Sequence, residues 1–193
     1  ISPEAPVPIV NIQKEESRLG GASNVANNIV SLGGHSLLCG VIGHDLFGKE
    51  IERISRHKNI DTFLLKTSSP TITKARIIGG KQQIVRVDYE DKSELNADNK
   101  KLFRDTISRI LPEYDILVIS DYGKGLISED LCRYLIKLAH KYDKKVIIDP
   151  KGKNWEKYSG ADIVTPNVKE LSDIVGYTVP NTDRAIEKAA REA

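Results

Sequence analysis

The sequence contains no methionine and only two cysteines, Cys39 and Cys132. Two cysteines so far apart do not make a disulfide scaffold, so we expect a reducing, cytoplasmic compartment. No apolar run approaches the roughly 18 residues of a membrane-spanning helix, and no secretory signal opens the chain. The net charge is only +2, although 29% of the residues are charged. We therefore expect neither nucleic acid nor a membrane as a partner.

The two ends of the sequence are also unusual. The chain opens with Ile-Ser-Pro-Glu instead of methionine, and residues 185–193 predict a helix without a Gly or Pro stop. At 193 residues the chain can bury a substantial core. We therefore expect one partial domain of a longer protein.

Short apolar runs alternate with amphipathic helical patterns along most of the chain. The runs predict buried strands at residues 37–42, 116–119, 146–148 and 163–164. Such alternation favours an α/β fold, with a mostly parallel central sheet and helices on both of its faces.

Residues 62–89 follow a different pattern. Segments 71–78 and 83–87 alternate apolar and polar residues on either side of Gly79 and Gly80. This alternation indicates a half-exposed antiparallel hairpin.

A double glycine opens the most informative segment, residues 20–27, which reads Gly-Gly-Ala-Ser-Asn-Val-Ala-Asn. Gly20 and Gly21 leave backbone open to another molecule, while Asn24 and Asn27 lie about one turn apart at a helix start. This arrangement suits a small hydroxyl-rich ligand. A turn followed by an Asn-capped helix would give the same pattern.

Polar residues follow each of the last three strands. The loops read Ser-Asp-Tyr-Gly-Lys-Gly at 120–125, Asp-Pro-Lys-Gly at 149–152 and Thr-Pro-Asn-Val-Lys-Glu at 165–170. Because the carboxyl ends of parallel strands share one edge of a sheet, these loops are predicted to converge with the double-glycine turn around one cleft.

Asn167 and Glu170 allow two interpretations. An amide and a carboxylate one helical turn apart can hold a hydrated Mg²⁺ that also meets substrate phosphates. The same spacing is that of a capping box, with Asn167 at the N-cap and Glu170 at the third helical position.

These motifs together resemble the ribokinase-like (PfkB-type) sugar kinases. The resemblance rests on Gly20-Gly21-x-x-Asn24-x-Ala26, on Gly43-x-Asp45-x-x-Gly48, and on the three strand-end motifs in family order. Within that family, the opening residues 1–8 and the stretch 82–88 are similar to the heptose 7-phosphate kinases of lipopolysaccharide-core biosynthesis.

The resemblance implies a ribokinase-like fold with a small antiparallel β lid, formed by strands at about 1–13 and 62–90. It implies that a sugar phosphate, D-glycero-D-manno-heptose 7-phosphate, is phosphorylated at O1 with ATP and Mg²⁺. A homodimer through the lid is also implied. The implied substrate-binding residues are Gly20, Gly21, Asn24, Lys74, Arg76, Arg86 and Asp121. The implied ATP-binding residues are Asn167, Val168, Lys169 and Glu170, with Glu170 reaching Mg²⁺ through water.

One family feature does not occur in the sequence. The catalytic Asp of these kinases lies in a Gly-Ala-Gly-Asp motif, which residues 1–193 do not contain. We expect it beyond Ala193, as we expect the first core strand before Ile1. The parent protein is then a kinase, and the 193-residue chain by itself is inactive.

Three alternatives use the same residues. Residues 43–49 resemble a P-loop, but Glu50 replaces the Ser or Thr that should contact Mg²⁺. His35, Cys39 and His44 could bind zinc, but a fourth ligand is not evident. The chain could also be a non-catalytic module that binds sugar or nucleotide, or that dimerises. Within the family resemblance, its parent could be another PfkB-type sugar kinase with a different substrate.

Overall fold

A computed structural model describes residues 9–80, 82–91 and 94–193 of the chain. Within these residues seven β-strands and six α-helices follow one another. The strands are β1 (Leu37–Gly43), β2 (Asp61–Thr67), β3 (Thr73–Gly79), β4 (Gln82–Tyr89), β5 (Ile116–Ser120), β6 (Lys145–Asp149) and β7 (Ile163–Val164). The helices are α1 (Ala22–Ser31), α2 (Leu46–His57), α3 (Ala97–Ile110), α4 (Glu129–Lys141), α5 (Val168–Val175) and α6 (Asp183–Glu192).

The strands predicted from apolar runs are confirmed, and all of them are parallel. β1 pairs with β2, and α2 connects the two. β5, β6 and β7 form a second sheet in that order. Among the described residues no strand joins β1 to β5, so the parallel strands lie in two sheets.

The largest core lies on one face of the second sheet. Leu131, Cys132, Val146 and Ile148 are at most 1% exposed, because α4 packs its apolar stripe onto β5 and β6. Burying side chains of this size stabilises the fold by about 1.5–3 kcal/mol each. This core holds the strand ends of β5 and β6 at fixed positions.

The predicted antiparallel hairpin is also confirmed, as the pair β3–β4. The hairpin spans residues 73–89, a shorter stretch than the predicted lid segment 62–90. The difference arises because residues 61–67 form β2, which pairs with β1 in a parallel sheet. Residues 9–13 form no strand, and residues 1–8 lie outside the described residues.

Cross-strand register gives the hairpin two chemically different faces. Lys74 lies opposite Asp88 and Arg76 opposite Arg86, so these charged residues share one face. The other face carries Ala75 opposite Val87, and both Val85 and Val87 are at least 40% exposed. In the part of the chain that the structure describes, every helix is too short or too polar to cross a bilayer.

Candidate functional site

Asp121, directly after β5, is the centre of a buried hydrogen-bond network. One carboxylate oxygen, Oδ2, accepts from Lys157 Nζ at 2.5 Å and from the Tyr158 hydroxyl at 2.7 Å. The other oxygen accepts from the backbone N–H of Gly123 at 2.7 Å. Asp121 is only 3% exposed, so its charge is compensated by Lys157 within the protein and not by water.

Tyr158 joins this network to the loop after β6. Its hydroxyl accepts from the backbone N–H of Lys151 at 2.9 Å while it donates to Asp121. Burial raises the pKa of Tyr158, and the hydrogen bond to the Asp121 carboxylate raises it further. The phenol therefore stays protonated and ties the first two strand-end loops together.

Lys151 connects the second strand-end loop to the third. Its Nζ lies 3.0 Å from Glu170 Oε1, and this hydrogen bond raises the pKa of Lys151. Burial raises the pKa of the nearby Asp149 carboxyl, and the charge of Glu170 adds to the effect. The three loops thus share one charged cluster, as the shared edge of a parallel sheet predicts.

Asn167 and Glu170 form the capping box that their spacing allows. The Asn167 side chain accepts from Glu170 N at 2.9 Å, and Glu170 Oε2 accepts from Asn167 N at 3.1 Å. Val168 and Lys169 form the first turn of α5 between them. The capping interpretation is confirmed, and both Glu170 oxygens already have protein partners.

The double-glycine turn lies against the first strand-end loop. Gly21 has φ +55°, a conformation that glycine adopts without strain. A side chain at Gly21 would meet the Tyr122 ring at about 3.5 Å, and one at Gly123 would meet Lys151 at 3.6 Å. The double-glycine turn therefore lies close to the Tyr122 ring, Gly123 lies close to Lys151, and Lys151 bonds Glu170.

A cavity of about 860 Å³ lies beside these elements. Five of the predicted site residues line it, namely Gly20, Gly21, Lys74, Arg76 and Asp121. Lys124 also reaches it, paired with Glu90. Since the cavity joins the glycine turn, the charged hairpin face and a strand-end loop, it can hold a polar ligand of moderate size.

The other predicted site residues are placed elsewhere. Asn24 is exposed and Gly21, not Asn24, is the N-cap of α1, so the Asn-capped helix is wrong. Arg86 shares a face with Arg76, but its Nε and Nη2 donate to the two Asp88 carboxylate oxygens, at 2.8 and 3.0 Å. Residues 167–170 join the site through Lys151 and are not among the residues lining the cavity.

The Gly43-x-Asp45-x-x-Gly48 motif anchors the start of the hairpin segment. Asp45 caps α2 through Gly48 N at 2.8 Å and accepts from Thr71 N and Thr71 Oγ1, both at 2.7 Å. Gly43 N donates to the same Thr71 hydroxyl at 2.8 Å. A side chain at Gly43 or Gly48 would come within 2.6 Å of neighbouring atoms, so both positions require glycine.

The same contacts weigh against two alternatives. The backbone N–H groups of Gly43 and Gly48 donate to protein oxygens, whereas a P-loop presents such groups to phosphate. His35 pairs with Asp61 at 2.9 Å, and burial raises the pKa of Cys39 to about 12. The described residues contain no group of three or more His, Cys, Asp or Glu side chains placed to hold a metal ion.

Sequence reasoning missed two residues of the Asp121 network. Lys157 and Tyr158 lie 36 and 37 positions after Asp121, in a single 3₁₀ turn (Glu156–Tyr158). Neither belongs to a strand-end motif, so no local pattern marks them. The only available signal is a Lys-Tyr pair in the irregular segment between β6 and β7.

Fold and motifs place the chain among ribokinase-like α/β proteins. Residues 2–193 match the pfkB family carbohydrate kinase, and the chain belongs to this family. It is 47% identical over 173 residues to the bifunctional protein HldE of Helicobacter pylori strain P12, covering 89% of this chain and 38% of that protein. It is 37% identical over 191 residues to HldE of Wolinella succinogenes, covering 98% of this chain and 40% of that protein.

Solved structures agree on the fold. The tetrameric inhibited form of phosphofructokinase-2 from Escherichia coli superposes with a TM-score of 0.73 at 21% identity, covering 97% of this chain and 62% of the other. A possible 1-phosphofructokinase from Thermotoga maritima gives 0.76 at 20% identity, covering 100% and 62%. The chain thus spans 38–40% of these two HldE relatives and 62% of these two structural neighbours.

Proposed function

We propose that the protein to which this chain belongs transfers a phosphoryl group from ATP to a hydroxyl of a sugar phosphate. The single observation that carries the proposal is the cavity shared by the double-glycine turn, the cationic hairpin face and Asp121. Membership of the pfkB carbohydrate kinase family supports the reaction class. The similarity to HldE proteins, together with the heptose-kinase-like residues 1–8 and 82–88, favours D-glycero-D-manno-heptose 7-phosphate, phosphorylated at O1.

We place the sugar at Gly20, Gly21 and Asp121, which line the cavity. Asn24 is exposed on α1 and is not among the lining residues. Lys74 and Arg76 suit the phosphate of the substrate, because an ammonium and a guanidinium on one hairpin face can bind phosphate oxygens together. Arg86 lies next to them, but Asp88 already neutralises it. We therefore expect Arg86 to contribute less than Arg76.

We place the ATP phosphates near Asn167, Val168, Lys169 and Glu170. Mg²⁺ suits this donor set only as a hydrated ion, because both Glu170 oxygens have protein partners. When bound, the ion would neutralise charge on the phosphates. Lys151 holds the Glu170 carboxylate in position for this contact.

Two assays test the reaction class. The complete parent protein is expected to consume ATP only when Mg²⁺ and the heptose phosphate are both present. The 193-residue chain is expected to show no turnover, since it contains no Gly-Ala-Gly-Asp sequence to supply a base. Turnover by the short chain would refute the second expectation, and a parent inactive on every sugar phosphate would refute the proposal.

Three variants of the parent test the phosphate site. Arg76→Ala is expected to raise KM for the sugar phosphate by about tenfold to a hundredfold, the equivalent of one charge-assisted hydrogen bond. Arg86→Ala, its cross-strand neighbour, should raise KM by about threefold at most, because Asp88 already engages it. Lys137→Ala, exposed on α4 outside the cavity, is the matched control. Equal KM values for all three variants would contradict the assignment.

Calorimetry on the 193-residue chain tests the non-catalytic alternative. Binding of sugar phosphate that is lost in Arg76→Ala would support the site even without turnover. Binding of ATP alone would favour a nucleotide-binding module.

We also propose that the parent forms a homodimer through the exposed apolar face of the hairpin, which carries Val85 and Val87. Sedimentation of Val85→Lys against wild type would test that assembly.

A further inference from the structure

A short loop forms one wall of the cavity that is proposed to hold the sugar phosphate. Residues 121–127 lead from the end of β5 toward α4, and we call them the wall loop. Five of its residues line the cavity, namely Asp121, Tyr122, Lys124, Leu126 and Ile127. The shape of the cavity on this side therefore depends on how the wall loop is held.

The wall loop has no regular secondary structure of its own. Its residues form neither helix nor strand. Gly123 and Gly125 have φ of +63° and +91°, and glycine loses more backbone freedom on folding than any other residue. Contacts from other segments of the chain must therefore fix the loop in one conformation.

Lys157 supplies such contacts at both ends of the wall loop. Its Nζ donates to Asp121 Oδ2 at 2.5 Å and lies 3.5 Å from the carbonyl oxygen of Ile127. The first of these is a charge-assisted hydrogen bond, which is stronger than a neutral one. The side chains of Lys157 and Asp121 are 20% and 2% exposed, so water competes little for either group.

Tyr158 gives Lys157 a fixed support. Its ring is 3% exposed and belongs to the same core as the apolar stripe of α4. Its hydroxyl bonds both Asp121 and the backbone of Lys151. Lys157 Nζ lies 5.0 Å from the centre of this ring, within the range of a cation–π contact. The ammonium group is thus held from the side of the core.

Neither Lys157 nor Tyr158 lines the cavity. A ligand there would meet Asp121 and its neighbours directly, and Lys157 only through them. We propose that Lys157 is a positioning residue for the sugar-phosphate site, which it serves by fixing the wall loop at Asp121 and Ile127. The identity of the ligand in this inference rests on the proposed function, whereas the fixing of the loop does not.

Kinetics of the complete parent protein test the positioning role. Lys157→Met keeps most of the side-chain length but removes the charge and the donors. It should raise KM for the heptose phosphate by about tenfold or more, because a displaced loop misplaces the groups that meet the sugar. KM for ATP should change by less than about twofold. A purely structural loss would lower the fraction of folded enzyme, and hence the apparent kcat, and would leave both KM values unchanged.

Three further variants make the kinetic test specific. Lys157→Arg keeps a cationic donor and should restore KM to within about threefold of wild type. Lys145→Met is the matched control, because Lys145 also pairs with a carboxylate, Asp162 at 2.7 Å, but is 74% exposed and lies outside the cavity. It should leave KM unchanged. If circular dichroism shows that Lys157→Met does not fold, Lys157→Gln, which keeps a neutral donor, takes its place and should raise KM by about threefold or more.

Hydrogen exchange of the same parent proteins, followed by mass spectrometry, tests the loop contacts without any ligand. Lys157→Met should speed exchange by about tenfold or more in peptides that cover residues 121–128. Exchange in the hairpin, residues 73–89, should not change. Lys145→Met should leave exchange in the wall loop as it is in wild type.

The results distinguish this inference from the proposed function. A wild-type KM for the heptose phosphate in Lys157→Met, or unchanged exchange in its wall loop, overturns the inference. An equal rise of KM in Lys145→Met, or a Lys157→Arg variant as impaired as Lys157→Met, also overturns it. A wild-type parent that is inactive on every sugar phosphate refutes the proposed function instead, and exchange in the wall loop then decides whether Lys157 holds it.

Discussion

Two ion pairs in this molecule have similar chemistry and opposite surroundings. Lys157 and Asp121 pair at 2.5 Å, with side chains 20% and 2% exposed. Arg86 and Asp88 pair at 2.8 Å on the hairpin, with side chains 46% and 27% exposed. Solvent weakens the second pair, whereas the first compensates a charge that water cannot reach. The strand-end loops are therefore a rigid frame, and the hairpin carries charges that can rearrange around a ligand.

The largest expected effect comes from breaking the buried pair. Asp121→Ala leaves Lys157 without its carboxylate and should lower the free energy of unfolding by about 3–5 kcal/mol. Asp88→Ala breaks the exposed pair and should cost no more than about 1 kcal/mol. Urea unfolding followed by circular dichroism measures both. Similar losses of unfolding free energy in the two variants would mean that burial does not make the Lys157–Asp121 pair matter more than the exposed Arg86–Asp88 pair.

A smaller effect is expected from removing one hydroxyl in the frame. Tyr158→Phe keeps the ring in the core but removes the acceptor of Lys151 N–H and a donor to Asp121. The free energy of unfolding should fall by about 1–2 kcal/mol, because buried polar groups lose their partner. Tyr89→Phe, 46% exposed on the hairpin, should change it by less than about 0.5 kcal/mol. If Tyr158→Phe left the free energy of unfolding unchanged, the hydroxyl would not stabilise the strand-end loops.

The smallest effect depends on pH. Asp162, before β7, accepts hydrogen bonds from Lys145, Val146 N–H and His140, and these hold its pKa below the usual range. Because the folded-state pKa is lowered, the carboxylate stabilises the fold above its unfolded pKa of about 4. This contribution is lost as pH falls below that value.

Thermal unfolding of wild type and Asp162→Asn from pH 7 to pH 3 measures the contribution. The difference in Tm should be constant above about pH 5 and should shrink below about pH 4. A Tm difference that stays the same down to pH 3 would show that the stabilisation does not depend on the negative charge of Asp162.

Much of the fold could be predicted because its signals are local. The apolar runs at 37–42 and 116–119 correspond to β1 and β5, and the capping box needs only Asn167 and Glu170. The polar loops after β5 and β6 were expected to meet, because parallel strands end at one edge. The Tyr158 hydroxyl, which bonds both Asp121 and the Lys151 N–H, confirms that these two loops meet.

The rest of the candidate site could not be predicted, because its partners are distant in sequence. Asp121 could have bound ligand, capped a helix or paired with any cation, and only folding brought Lys157 and Tyr158 to it. The hairpin was expected to offer Lys74, Arg76 and Arg86 alike. Arg86 alone differs from the other two through a local contact, because Asp88, two residues along the same strand, binds its guanidinium.

By itself the sequence determined where strands, turns and the capped helix lie, because spacing of apolar residues, glycine conformations and end-capping act over a few positions. Tertiary structure alone decided which charges are buried together and which cations remain at the cavity. Those outcomes depend on desolvation and packing between segments tens of residues apart, which no local pattern encodes.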